Sequence, residues 1–374
     1  MIIMALDHTR DFFHYDAFIH DPLDLKTTSL FLFFTRWVTH FCAPIFVFLA
    51  GTSIYLQGNK KTKSELSLFL FKRGLWLIFV ELIIITYAWT FDAFFPVLIM
   101  QVIWAIGISM VLMAMLIHLP YSIMLLLGFI VVAGHNVLDY LPATHQGFLW
   151  DIVRNGNFAF HTISAQHQMA IIYPFLPWLG LMMLGFCFGK IYAPSFNPKQ
   201  RKNILTWTGA GLILFFVFLR FTNLYGNPTQ WSIQNNVFFT FLSFINLNKY
   251  PPSLLYMCIT IGPAMLFLSF FENTHNKITR IISVYGRVPF FYYVLHFYLL
   301  HILCMVLFLT RGHSLSEVTP NVFGIPFHYL IAGEGYPLTI VYLIWISLIL
   351  VLYPLCKWFS ELKARKNYWW LSYL

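Results

Sequence analysis

Nine stretches of this chain are apolar for about as long as it takes to cross a hydrocarbon core some 30 Å thick, which needs roughly 20 residues in a helix. They run at about 30–56, 74–91, 94–117, 120–135, 166–189, 204–220, 250–271, 288–310 and 337–358. In lipid each backbone N–H and C=O must find its partner inside the protein, which leaves packed helices as the fold for runs of this kind. Met1–Phe13 reads as the end of a further helix whose beginning lies upstream, with neither the basic n-region nor the small-residue cleavage site of a signal peptide. The expected fold is therefore all-α, a polytopic transmembrane helix bundle of about ten helices, with residues 1–374 as a single integral-membrane domain. His118-Leu119-Pro120-Tyr121 interrupts the long run 94–135 and predicts a tight helical hairpin. The second arm, 120–135, is short enough that an amphipathic surface helix is the alternative.

Composition agrees. Only 10% of residues are charged and mean hydropathy is +0.71, where a soluble surface needs roughly a quarter charged. The formal charge of +9 does not point to nucleic acid, because the basic residues fall in short clusters between apolar runs. Segments 57–73, 190–203, 272–287 and 357–374 hold most of the 23 lysines and arginines. They alternate correctly with the spans, so by the positive-inside rule these segments, and both termini, face the cytoplasm. The long loops 135–165, 221–249 and 311–336 then lie outside. The five cysteines all sit within apolar runs with no CxxC spacing, and read as core residues rather than a disulfide frame or a metal site.

With that orientation, all of the 14 histidines except His118 and His275, His145 among them, fall in outer loops or at middle to outer depth. Ionisable groups at membrane depth are expensive and face a bundle interior or a wet cavity, so a polar vestibule opening away from the cytoplasm is expected. Its densest cluster is Asp7-His8-Thr9-Arg10-Asp11-Phe12-Phe13-His14. On a helix, Asp7, Asp11 and His14 share one face, with His8 and Arg10 flanking it. A carboxylate beside an imidazole orients it and raises its basicity, as a general base requires. The alternative is an ion network that only anchors the helix end. His20 follows in the next loop. Arg36 and His40 lie one turn apart on the next helix, with Asp7 or Asp11 as partners for Arg36. His296 and His301 are about 140° apart on their helix and do not both face one small site, so no metal is expected. Glu81, in an apolar run, must be paired or protonated. Lys72, Arg73, Arg280 and Arg287 offer phosphate-sized positive patches on the cytoplasmic side, although positive-inside topology explains the same residues without a ligand.

The stretches MALDHTRDFFHYDAF, FFTRWVTHFCAPIFVFLAGTSIYL, KRGLWLIFVEL, YPFLPWLGLMMLGFCFG, KYPPSLLYMCITIGPA and GRVPFFYYVLHFYLLH resemble the bacterial branch of the heparan-alpha-glucosaminide N-acetyltransferase catalytic-domain family, over nearly the whole chain. The resemblance implies a bundle in the bacterial inner (plasma) membrane. It would take acetyl from acetyl-CoA at the cytoplasmic face and deliver it to a sugar or glycan acceptor on the far side. By the same resemblance the catalytic His of the F-x-H loop falls on His20, and the polar position ending the preceding helix falls on Asp7 or His8. The basic patch Lys72, Arg73, Arg280 and Arg287 would take the CoA, and His8, His20 or His40 would deprotonate the acceptor or carry the acyl group. Lipid is the expected surrounding partner, nucleic acid is not a partner, and a homo-oligomer stays open. Two other readings stand beside the acyltransferase: a transporter or flippase that uses the same vestibule for passage, and a purely structural membrane protein. A transporter needs titratable groups through to the cytoplasm, whereas here they thin inward apart from Glu81.

Overall fold

The computed structural model describes residues 1–374 apart from 142–146, 315–316, 318–320, 323–324, 332, 367 and 373–374; His145 lies outside the described residues. The chain begins with α1 (Ile2–Phe13), α2 (Leu30–Thr39), α3 (Cys42–Gly58) and α4 (Lys63–Phe79). A π-helical turn at Val80–Ile85 carries α4 into α5 (Thr86–Thr90), followed by β1 (Val97–Met100), α6 (Val102–Leu116) and α7 (Tyr121–Gly134). Next come α8 (Phe148–Val153), the strands β2 (Ala159–Ser164) and β3 (His167–Ile171), α9 (Phe175–Phe188), α10 (Pro198–Thr222) and α11 (Val237–Ile245). The remainder is α12 (Leu254–Phe271), α13 (Lys277–Arg287), α14 (Pro289–Thr310), the two-residue strands β4 (Asn321–Val322) and β5 (Ile325–Pro326), and α15 (Leu338–Arg365).

Among the described residues 7 helical stretches are long and apolar enough to cross a membrane: Leu30–Gly58, Tyr121–Tyr140, Phe175–Tyr192, Pro198–Thr222, Leu254–Phe271, Pro289–Thr310 and Leu338–Arg365. The short apolar α6 joins them. Polytopic helical architecture is thus present, and the chain breaks between α6 and α7 where expected, but the two do not close as a tight hairpin: both pack on α9 instead of on each other. The apolar run 94–117 departs from expectation. It is not one helix, because Phe95 turns at φ 50° ahead of Pro96 and the next four residues form β1, which pairs in parallel with β3. β3 in turn takes the start of the run 166–189 and pairs antiparallel with β2. Ile99, Met100, Ala170 and Ile171 are buried, so this small sheet is a plug of core side chains that short apolar segments can form as well as helix can.

Helix starts are locally encoded. Ser29, Thr62, Asn197, Asn236, Ser253 and Asn276 each accept a backbone N–H of the turn they open, as capping residues do. Helix contacts are close where glycines meet. A Cβ at Gly185 would lie 2.1 Å from the Phe48 carbonyl oxygen and one at Gly51 2.1 Å from that of Met182, so α3 and α9 touch backbone to backbone. Thr52 Oγ1 completes that seam with a 3.0 Å bond to the Gly185 carbonyl. Large side chains such as Phe129, Leu214, Phe218 and Leu350 remain exposed on the outside of the bundle, where lipid takes the place of water.

Candidate functional site

α1 is anchored by apolar Met4, Ala5, Leu6, Phe12 and Phe13 while its buried Asp7 and Arg10 turn to one side. There the helical offsets of three and four place Asp7, Arg10 and Asp11 together. The Arg10 guanidinium contacts both carboxylates, reaching Asp7 Oδ1 at 3.2 Å. Arg36, brought in on α2, pairs with the other oxygen of Asp7, so of the two partners open to it the structure selects Asp7. His8 Nδ1 stands 3.6 Å from Asp11 Oδ2, an ionic contact rather than a hydrogen bond. The result is a row of alternating charge, Arg36–Asp7–Arg10–Asp11, that ends on the His8 imidazole. Trp89 and Phe297 hold that ring at centroid distances of 5.2 and 4.3 Å.

All of these but Phe297 line one cavity of about 720 Å³, together with His14, His20 and His40. Seven of the eight catalytic candidates read from the sequence therefore share it; they differ in how they sit. His20 is exposed on the loop between α1 and α2. His40 is 3% exposed, at the break between α2 and α3. Its carbonyl accepts the Tyr256 hydroxyl at 2.8 Å, and its Nε2 has no partner among the described residues. His14 does not extend the helical face of Asp7 and Asp11, because α1 stops at Phe13 and residue 14 is extended. Its Nδ1 accepts the Asp16 N–H at 3.2 Å. Burial lowers its pKa, with Asp16 opposing and Arg10 reinforcing the shift.

His296, the eighth, lies behind the lining, fully buried with its ring 5.3 Å from that of His8. Its Nδ1 is committed to the Tyr292 carbonyl at 3.1 Å, and Nε2 is unpartnered among the described residues. His301 points elsewhere, with both ring nitrogens against backbone carbonyls, Ala88 at 2.8 Å and His328 at 2.9 Å, as the 140° offset required. Glu81 sits on the π-helical turn, fully buried, and accepts the Trp104 N–H at 3.1 Å to cap α6.

Sequence reasoning missed Lys249 and Tyr250. Both line the cavity, and the Lys249 ammonium lies 5.1 Å from the Tyr250 ring centre. Burial raises the pKa of the Tyr250 hydroxyl, yet Lys249 and Arg36 outweigh it and hold the group below its ordinary value. Tyr173 packs edge-on to Tyr250 at 5.3 Å and is itself pushed well up, by burial first and then by Tyr250. The signal available in the sequence was the polar pair opening Lys249-Tyr250-Pro251-Pro252, directly before a span.

A second cleft of about 410 Å³ is lined by Lys277, Arg280, Arg287 and Lys357, with Tyr353 and Glu361. It gathers two of the four basic residues singled out for a cofactor. Lys72 and Arg73, on α4, are not among its lining, and Arg73 stands close to Lys363 on α15. A column of rings connects the two cavities. His8 meets His296, which stacks on Tyr292 at 5.5 Å; Tyr292 meets Tyr285 at 5.5 Å, and Tyr285 meets Tyr353 at 6.0 Å. The Tyr292 hydroxyl is another buried group without a partner among the described residues.

A family model described as "Heparan-alpha-glucosaminide N-acetyltransferase, catalytic" matches residues 1–221. The match takes in the whole charged row and ends before Lys249, Arg280, Arg287 and His296. No curated protein and no solved structure matches the chain.

Proposed function

The chain belongs to the heparan-alpha-glucosaminide N-acetyltransferase catalytic family, and on that premise we propose that it is a membrane acyltransferase. It moves an acetyl or other acyl group from cytoplasmic acyl-CoA to a sugar or glycan acceptor on the opposite side. We place it in a bacterial inner membrane with about ten crossings, counting α1, the α4–α5 helix and α6 alongside the seven long stretches, and with both termini in the cytoplasm. The concentration of lysine and arginine near the second cleft supports that orientation.

The observation that carries the reading is a pair of cavities with buried polar atoms between them that have no partner among the described residues. His296 Nε2 and the Tyr292 hydroxyl lie between a basic cleft at one end and a charged cavity at the other. Buried polar groups without partners are costly, and ones placed between the two cavities suit the amide-bearing arm of CoA once it inserts. Arg280 and Arg287, with Lys277 and Lys357, have the charge to hold its phosphates. Acyl-CoA supplies the activated acyl group as a thioester.

In the larger cavity, His8 takes the proton from the acceptor amine or hydroxyl as the new C–N or C–O bond forms, the C–S bond breaks and CoA leaves as its thiolate, which takes up a proton to become the free thiol. Asp11 then faces the imidazolium. Arg10 and Arg36, fixed by Asp7, keep both carboxylates ionised and in place. His20, at the mouth, is the second candidate for the same proton. His14, with Nδ1 already engaged, and His40, among cations, hold the cavity wall.

The test is release of free thiol from acetyl-CoA by the purified protein, with and without glucosamine as acceptor. His8→Ala is expected to lower kcat by about 10²–10⁴-fold, the usual contribution of a positioned general base. If calorimetry finds no CoA binding while the protein still moves a sugar across vesicles, the transporter reading replaces this one.

A further inference from the structure

The charges of the larger cavity do not balance locally. Three cations, Arg10, Arg36 and Lys249, surround Asp7, and the only other carboxylate in the group, Asp11, is shared between Arg10 and His8. Arg10 is 7% exposed, and its Nη1 has no partner among the described residues. Lys249 is 8% exposed and forms no ion pair with a carboxylate among the described residues; its neighbour is the face of Tyr250. Both side chains line the cavity. The acids that would offset this excess, Asp16, Asp21 and Asp24, also line it, but from the loop between α1 and α2, where Asp21 and Asp24 are exposed. Charge is therefore sorted: buried cations inside, acids toward water.

We propose that Arg10 and Lys249 form a subsite for one anionic group, a carboxylate, sulfate or phosphate. That group is carried by the acceptor next to the atom that receives the acyl group. The proposal rests on the acyltransferase reading for the word acceptor, but not for the subsite itself. A buried guanidinium edge and a buried ammonium both gain charge-assisted hydrogen bonds from such a group, whereas a neutral sugar hydroxyl matches neither charge. The acidic loop restricts the rest of the ligand. Carboxylates at the mouth repel a second anion and accept a neutral or cationic remainder, so a ligand with one anionic end is preferred over a polyanion.

The experiment is calorimetric titration of the detergent-purified full chain, without acyl-CoA, using glucose, glucuronate, glucose 6-phosphate and inorganic phosphate. Glucuronate or glucose 6-phosphate is expected to bind about tenfold or more tightly than glucose, the scale of one charge-assisted bond. Whichever of the two binds tighter identifies the anion preferred. Competition by inorganic phosphate distinguishes a site for the bare anion from one that needs the sugar. Lys249→Met is expected to remove the preference while leaving glucose affinity unchanged, and Lys249→Arg to retain it. Equal affinity for glucose and both anionic sugars overturns the proposal, as does a preference that survives Lys249→Met or the failure of both anionic sugars to bind. The two readings fail separately. Thiol release that is indifferent to acceptor charge sinks the subsite alone, and anion binding without thiol release sinks the transferase alone.

Discussion

Replacing Asp7 with Asn keeps the shape of the side chain and removes the one charge lying between two guanidinium groups. Its side chain is 10% exposed and that of Arg10 8%, so solvent screens the pair weakly. At the 3.2 Å separation of Arg10 and Asp7, and an effective dielectric of about 20, the gross Coulomb attraction is about 5 kcal/mol, with a comparable contribution from Arg36. Arg10 keeps Asp11 in the variant, whereas Arg36 is left facing a neutral amide. Breaking one side of a buried pair costs about 3–5 kcal/mol, because the remaining charge stays desolvated, and the amide oxygen restores about 1 kcal/mol as a neutral hydrogen bond. The expected loss is therefore about 2–4 kcal/mol, measured as reversible unfolding by SDS in mixed micelles and followed by tryptophan fluorescence. Adding Arg36→Gln removes the stranded charge. The double variant should be more stable than the sum of the single losses predicts, by about 1.5 kcal/mol or more. A loss below about 1 kcal/mol for Asp7→Asn, or losses that simply add, would falsify the charged row as a coupled unit.

Two further outcomes follow from particular contacts. Gly185→Ala puts a methyl group 2.1 Å from the Phe48 carbonyl oxygen, against backbone that cannot yield, and should cost about 1–3 kcal/mol or more. Gly211→Ala on α10, which meets nothing within 4 Å, should be neutral or slightly stabilising by the same unfolding assay; equal effects at the two sites would remove the packing argument. His313 has a raised pKa because its ring nitrogens bond Glu334 and Glu317, at 2.9 and 2.8 Å. The stability it adds should be complete below the ordinary histidine value of about 6.5 and disappear as pH rises through the higher folded value. Melting temperatures of the wild type and His313→Gln should therefore differ most at pH 5.5 and converge above pH 8, and a gap that widens with pH would refute the assignment.

Much of the charged row was legible because it is local. Asp7, Arg10 and Asp11 are set by helical spacing alone, and Arg36 needed a partner because an arginine near a span is costly without one. The opposed directions of His296 and His301 came from the same arithmetic. His14 was misplaced because spacing cannot tell where a helix stops. α1 ends one residue earlier, as its last turn gives way to backbone bonds with the distant segment around Tyr336, whose N–H reaches the Phe13 carbonyl at 2.7 Å. β1 and β3 were hidden for a different reason: each continues directly into an apolar run long enough to be a span, and only pairing between segments about 70 residues apart decides for strand. Lys249 and Tyr250 meet α1 across some 240 positions of sequence, and nothing in their immediate neighbours records that contact.

The arrangement also bears on why the polar residues of the cavity are tolerated at all. In the row Arg36–Asp7–Arg10–Asp11 each carboxylate faces a guanidinium, so four buried or half-buried charges sum to zero and each offsets the desolvation of its neighbour. Among the described residues the row leaves Asp7 Oδ1, Arg10 Nη1 and His8 Nδ1 without a hydrogen-bond partner. A network built only to anchor a helix end gains nothing by leaving a guanidinium nitrogen and an imidazole nitrogen without partners in the wall of a cavity of about 720 Å³, since each unmade bond lowers stability. In the proposed transfer the same features are useful. The proton accepted by His8 adds one positive charge, and Asp11, 3.6 Å away, is already held as an anion by Arg10 to receive it. The cost of burying the row is then the cost of having that carboxylate in place before the proton arrives, which is the preorganisation a general base in a low-dielectric site requires.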